Sequence, residues 1–295
     1  MQVLVTGGQG FLGAWIIRRL YAAGHIPVVF DASPRTELVQ RIAGQVPRWI
    51  LGDIADAQAV ADAAAGCAAI IHLAGILTPD CARDPIRGAI INLIGTLAVF
   101  EAARRHGIRH LVYTSSAGVY GPAPDADPWP ITHYGTFKLA CEGSARAYWH
   151  DHGIASIGLR PQIVYGPGRE TGLTAGPSLA CQAAAQGEAY TIGYTGPSGL
   201  VFVDDVAAAY VAAMLHAPDG SHVFNLPGEV ATTAEVVAAI HRLIPGARID
   251  TAGPPLDLPP RMPMDNLAEI LLGLPRTSLA DGLARTIAFY GNGVV

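Results

Sequence analysis

Short runs in which nearly every residue is apolar recur along the first half of the chain. Each is followed by a stretch whose apolar positions return every three or four residues. The runs are QVLVTG (2–7), IPVVFD (26–31), RWILGD (48–53), AIIHLA (69–74), HLVYTSS (110–116) and SIGLRP (156–161). Helical spacing covers 11–23, 35–43, 56–65, 86–106 and 134–152 between them. Strands buried on both faces read as continuous apolar runs, and strand–helix alternation builds a parallel sheet with helices on both sides. After residue 162 the rhythm changes. Glycine, proline and threonine crowd YGPGRETGLTAGPS (165–178), and helical spacing returns near 179–187, 204–216, 232–244 and 278–290. The proline-rich AGPPLDLPPRMP (252–263) predicts an extended surface segment.

Composition narrows the class. Apolar residues make up 51% of the 295 positions and charged residues 15%. Such a chain looks membrane-like until its distribution is read. The apolar surplus lies in short runs, and no uninterrupted stretch approaches the roughly 20 residues a bilayer span requires. The N-terminus opens directly into a strand pattern with no basic leader. The expectation is a cytoplasmic protein with no membrane partner. A net charge of −5 without a basic stripe argues against nucleic acid. Cys67, Cys81, Cys141 and Cys181 are widely spaced, and the ten histidines form no ligand pattern, so reduced cysteines and no metal site are expected.

The candidate chemistry begins at TGGQGFLG (6–13), with Gly7, Gly10 and Gly13 after the first strand and opening a helix. Glycines in that context let the backbone approach a pyrophosphate, which the helix N-terminus then favours. Asp31 ends the second strand, where a carboxylate accepts from a ribose hydroxyl and repels a 2′-phosphate, so NAD is expected over NADP. Arg35 is the one nearby cation that argues the other way. Asp53 ends the third strand and is a candidate adenine-side residue. Ser115 and Ser116 end the fifth strand, at the edge where ligands gather in open parallel sheets, and both hydroxyls are expected in the crevice. Tyr134 and Lys138 follow, one helical turn apart, so they share a face. The fold class is α/β: a Rossmann-type doubly wound parallel sheet with a small C-terminal substrate-binding subdomain. The expected division is 1–163 for the cofactor domain and 164–295 for the smaller one, with the segment around 200–216 packing back on the first.

These motifs, with HLAG (72–75), NLIGT (92–96), LRPQIVYGPG (159–168), FVDDVAAAY (202–210) and SLADGLARTIAFY (278–290), resemble the extended short-chain dehydrogenase/reductase family, NAD-dependent epimerase/dehydratase type. The likeness runs through nearly the whole chain in order. It implies a catalytic set of Ser116, Tyr134 and Lys138. Cofactor positions follow at Gly7, Gly10, Phe11, Leu12, Asp31, Asp53, Ile54, Leu73, Ala74 and Lys138. Thr78, Ser116, Tyr165 and Arg169 are candidate substrate-side residues, Arg169 as a loop arginine that can meet an anion such as a carboxylate or stay solvated, and a homodimer through the helices at 86–106 and 134–152 is expected by kinship.

Three departures from the family pattern shape the expected reaction. Ser116, Ala117 and Gly118 stand where dehydratases carry Thr-Asp-Glu, which argues against dehydration. Ile163 replaces an asparagine, and Ser198 and Gly199 replace an Arg-Asp pair, in positions associated with nucleotide-linked sugars. The reading placed first is therefore an NAD-dependent dehydrogenase acting on a small sugar, sugar acid or hydroxy acid. An NAD-dependent sugar epimerase, including a nucleotide-sugar one, comes second, and a non-catalytic NAD(H) sensor third.

Overall fold

The computed structural model describes residues 1–122, 127–216, 218–263 and 265–292. Its strands in chain order are β1 (Gln2–Thr6), β2 (Ile26–Asp31), β3 (Arg48–Leu51), β4 (Ala69–His72), β5 (His110–Thr114), β6 (Ala155–Pro161), β7 (Ile163–Tyr165), β8 (Ala189–Ile192), β9 (Pro197–Phe202), β10 (Ser221–Leu226), β11 (Glu229–Thr232) and β12 (Arg248–Thr251). The six apolar runs of the first half form a parallel sheet that β10 completes, in the order β10-β6-β5-β4-β1-β2-β3. The chain travels outward from β1 to β3, then crosses back to β4 on the other side of β1. That reversal opens a crevice beyond the carboxyl ends of β1 and β4, where a doubly wound sheet binds its ligand.

Both sheet faces are covered, which is why β1, β4 and β5 lack polar alternation. On one face the helix Phe11–Ala22 packs against Val203–His216, burying Trp15, Ile16, Ile17, Tyr210 and Met214. On the other, Ala57–Ala64 packs against Gly95–His106 over Leu4, Phe30, Ile70 and Phe100. The helical run Pro85–His106 is long and apolar enough to cross a membrane by composition alone. Here half of that stretch is buried inside the fold, which accounts for its hydropathy. It is interrupted by one π turn at Ile90–Ile94.

The later chain builds a second core around Tyr165, Cys181, Ile192, Phe202, Val236, Ile240 and Leu283. Two small sheets, β11-β9-β7 and β12-β8, and the helices Gly176–Gln186, Thr233–Leu243 and Leu279–Asn292 frame it. Periodicity found those helices but not the strands. β7 to β12 are three to six residues long. Segments such as PSGLVF and SHVFNL are too short, and too mixed in polarity, to register against the period-2 pattern.

Candidate active site

The glycine turn fits a cofactor backbone for steric reasons. Gly7 has φ +72°, and a Cβ there would sit 2.7 Å from the Ala74 amide nitrogen. A Cβ on Gly13 would come 2.6 Å from the Gly8 carbonyl oxygen. Gly10 caps the helix Phe11–Ala22 with extended backbone and no side-chain bond of its own, leaving the first amides of that helix open. Asp31 faces this turn: its carboxylate accepts from the Gln9 amide at 3.0 Å and the Ser33 amide at 3.0 Å. The carboxylate is thus fixed at the end of β2, where an adenosine ribose would meet it. Arg35 instead reaches back to the Ser33 hydroxyl, 3.5 Å from its Nε. These residues fit a dinucleotide with a free 2′-hydroxyl. Ile54 is buried against Gly95, whereas Asp53 is exposed and accepts from the Ala55 amide at 2.9 Å. Phe11, Leu12, Leu73 and Ala74 are partly buried along the crevice floor.

A buried polar chain braces the crevice from beneath. Thr96 donates its hydroxyl to the Asn92 carbonyl at 2.6 Å, so its oxygen has to accept from His72 Nε2 at 2.9 Å. Nε2 therefore carries the proton, and Nδ1 accepts from the Thr6 hydroxyl at 2.7 Å. Burial, helped by the charge of Lys138, pulls the His72 pKa down to about 3, so the ring is neutral. Because the unfolded ring titrates near 6.5, the unfolded chain takes up a proton that the native one refuses. Stability should fall as pH drops from about 6.5 toward 3. Urea midpoints between pH 7 and pH 4 should decline less steeply in His72→Asn than in the wild type. Asn92, placed inward by the π turn, holds the Ile76 backbone from both sides, donating to its carbonyl at 3.1 Å and accepting from its amide at 3.2 Å.

Ser116, Tyr134 and Lys138 meet at this floor. Thr132 caps the helix His133–His152 by accepting from the Gly135 amide, which fixes where Tyr134 begins. Gly135 itself has no room for a side chain, since a Cβ would strike the Gly118 carbonyl. The Ser116 hydroxyl accepts from the Gly118 amide at 3.0 Å, and a Cβ on Gly118 would touch both Ser116 and the Tyr134 ring. Lys138 is buried, with Nζ 5.7 Å from the Tyr134 ring centroid and close to Gly75.

Two expected site residues lie elsewhere. Ser115 does not share the crevice: strand alternation turns its side chain to the opposite side, where it donates to Glu142 at 2.5 Å. Tyr165 is fully buried in the second core, edge-on to Phe202, and its hydroxyl meets the Leu279 carbonyl. Arg169 does reach the site, 5.6 Å from the Phe11 ring centroid and near enough to Tyr134 for the two to interact electrostatically. Thr78 opens the short helix Thr78–Arg83 and is half-buried.

Glu142 escaped the sequence reading, although its spacing held the signal. Tyr134, Lys138 and Glu142 stand at i, i+4 and i+8 on one helix face. Glu142 takes a bidentate pair from Arg160, at 2.7 Å from Nε and 2.6 Å from Nη2. Arg160 also donates to the Tyr120 hydroxyl at 2.5 Å, and Tyr120 donates to Asn225 at 3.1 Å. This chain pins β5, β6 and β10 to the helix that carries Tyr134 and Lys138.

With that geometry in place, likeness to known proteins decides the family. The model of the NAD dependent epimerase/dehydratase family matches residues 3–226. This chain belongs to that family. A UDP-glucose 4-epimerase of Mycolicibacterium smegmatis is 32% identical over 99% of both chains. A 2-alkyl-3-oxoalkanoate reductase of Stenotrophomonas maltophilia is 33% identical over 85% of this chain and 78% of its own length. Among solved structures, the Thermus thermophilus UDP-glucose 4-epimerase in complex with NAD superposes with a TM-score of 0.85, at 27% identity and full coverage of both chains. As a member of the NAD dependent epimerase/dehydratase family the chain is an enzyme, and its cofactor is NAD.

Ile163, Ser198 and Gly199 fall near one corner of the second core. Ile163 is buried in the second core, not presented to the crevice. Gly199 lies against Gln162, and a Cβ there would collide with the Gln162 amide. That amide accepts from Gly228 N at 2.9 Å and donates to the Pro259 and Pro260 carbonyls. The corner that lacks the Arg-Asp pair is therefore filled by a self-satisfied polar knot.

Proposed function

We propose that this enzyme is an NAD-dependent sugar epimerase that inverts a secondary alcohol, with a nucleotide-linked hexose as the first substrate class to test. The observation that carries the reading is the end-to-end likeness to a UDP-glucose 4-epimerase, joined to a crevice in which Ser116, Tyr134 and Lys138 converge. This moves the balance from the net dehydrogenase placed first by the sequence to the epimerase placed second. NAD, when bound, supplies the hydride acceptor and donor. Gly7, Gly10, Phe11, Leu12, Asp31, Asp53, Ile54, Leu73, Ala74 and Lys138 would hold it. Ser116 holds the reacting hydroxyl. Tyr134 takes its proton as the hydride departs and returns the proton when the hydride comes back to the other face of the ketone. Lys138, buried with its ammonium 5.7 Å from the centre of the Tyr134 ring, would contribute to the ribose site.

The test is incubation of the purified protein with UDP-glucose, UDP-galactose and UDP-N-acetylglucosamine, with products separated by anion-exchange chromatography and absorbance followed at 340 nm. Interconversion without net NADH supports the proposal. Net NADH formation or consumption supports a dehydrogenase instead. That second reading draws on the filled corner at Gln162 and Gly199 and on the reductase relative.

A homodimer also follows as a proposal. Ile86, Ile90 and Ile94 lie exposed along the helical run Pro85–His106, and Trp149 is partly exposed on the neighbouring helix His133–His152. Ile90→Glu should shift the mass measured by light scattering from two chains to one while leaving the circular-dichroism spectrum unchanged.

A further inference from the structure

Arg169 and Tyr194 carry polar atoms that the fold buries and leaves without protein partners. The Arg169 Nε and the Tyr194 hydroxyl are both enclosed and unbonded among the described residues. Tyr194 is 2% exposed, held by the end of β8 and packed against Gly176 at the start of Gly176–Gln186. Arg169 stands in the loop after β7. Among the described residues its sole side-chain hydrogen bond is a long one, 3.5 Å from Nη2 to the Thr174 hydroxyl, and no carboxylate pairs with it. Glu170, the adjacent acid, turns instead toward Tyr290.

An enclosed guanidinium nitrogen without an acceptor is costly, and so is a buried phenol hydroxyl with no acceptor or donor. Enclosed, unpartnered atoms of this kind beside a crevice are positions that a ligand can complete. The two are brought together by one turn of chain: Tyr194 packs its ring against Gly176, two residues past Thr174, whose hydroxyl Arg169 reaches. Arg169 lies with its guanidinium 5.6 Å from the centre of the Phe11 ring, and its charge is felt at Tyr134. Its planar fork matches the paired oxygens of a phosphate or carboxylate. Ser198 and Gly199 themselves carry no charge with which to meet a substrate anion, whereas Arg169 is a cation lying against Phe11.

We propose that Arg169, with Tyr194 and Thr174, forms an oxyanion receptor that binds a phosphate or carboxylate group of the substrate and so presents its sugar to Tyr134. The proposal deepens the epimerase reading by naming the chemistry that holds the substrate, and it rests on that reading for the identity of the sugar.

Equilibrium binding separates the two claims, because it needs no turnover. Isothermal titration of the NAD-loaded protein with UDP-glucose, glucose 1-phosphate and glucuronate should give measurable binding, with neutral glucose as the control. Arg169→Gln should weaken at least one anionic probe by about 10- to 100-fold. Arg169→Lys should recover part of that loss, and Tyr194→Phe should cost about 3- to 10-fold while leaving the melting temperature unchanged. Unchanged affinities in folded Arg169→Gln overturn the receptor. A loss confined to NAD affinity, with the anionic probes unaffected, also overturns it, assigning the guanidinium to the cofactor's diphosphate. If Arg169-dependent anion binding persists while no UDP-sugar is epimerised, the receptor stands and the reaction assignment falls.

Discussion

Tyr134→Phe should lower turnover by about 10³-fold, within the range that a positioned acid–base group contributes. It should leave NAD affinity and thermal stability close to those of the wild type. The structure explains why the loss would be confined to chemistry. Tyr134 is half-buried at the first turn of His133–His152, and its hydroxyl holds no structural hydrogen bond among the described residues. Its ring, which Phe retains, meets Gly118 and Lys138. The measurement is single-turnover reduction of bound NAD on mixing with sugar substrate, beside fluorescence titration of NADH. Activity of Tyr134→Phe within tenfold of wild type would remove Tyr134 as the proton-exchanging group.

The largest effect on stability is expected from Glu142→Leu. Arg160 retains 12% side-chain exposure and Glu142 1%, so the leucine variant strands a buried guanidinium and the Ser115 hydroxyl together. Breaking a buried pair from one side costs about 3–5 kcal/mol. Replacing both partners with apolar residues, as in Glu142→Leu with Arg160→Met, should recover most of that loss, because the desolvation of both charges is removed along with their attraction. Denaturant unfolding of the two single variants and the double variant gives the coupling directly. The double variant should nonetheless lose activity. Glu142 and Arg160 fix the rotation of the helix on which Lys138 and Tyr134 lie one and two turns upstream. A double variant as unstable as Glu142→Leu would show that packing, not charge, governs the site.

How much of this was readable beforehand depended on the scale of each signal. The glycine turn, Asp31 and the Tyr134–Lys138 pair are local: their chemistry follows from a strand end or a single helical turn, and the fold brings them together. Ser115 and Ser116 show where local reading stops. Adjacent residues at a strand end point to opposite sides, and only the partner, Glu142, reveals which one faces the crevice. Tyr165 follows the same logic, since YGPG names a loop but not the direction of its first ring. The Glu142–Arg160–Tyr120–Asn225 chain joins residues as much as 105 positions apart, and no period in the sequence encodes it. The strands of the second core are short and mixed in polarity. They gain their definition from Ile192, Phe202 and Ile240 meeting in space.

The π turn at Ile90–Ile94 adds a consequence of its own. An α-helix advances about 100° per residue, so one additional residue in a turn rotates everything beyond it by that amount. The Pro85–Ala89 end and the Gly95–His106 end are thus two helical pieces set in different phase, joined by a residue that does not fit either. Asn92 owes its inward position to that misfit. Removing one residue from 90–94 would heal the backbone hydrogen bonding, yet it would turn Asn92 away from Ile76 and shift the outer isoleucines against their neighbours. A locally better helix would then make a worse enzyme.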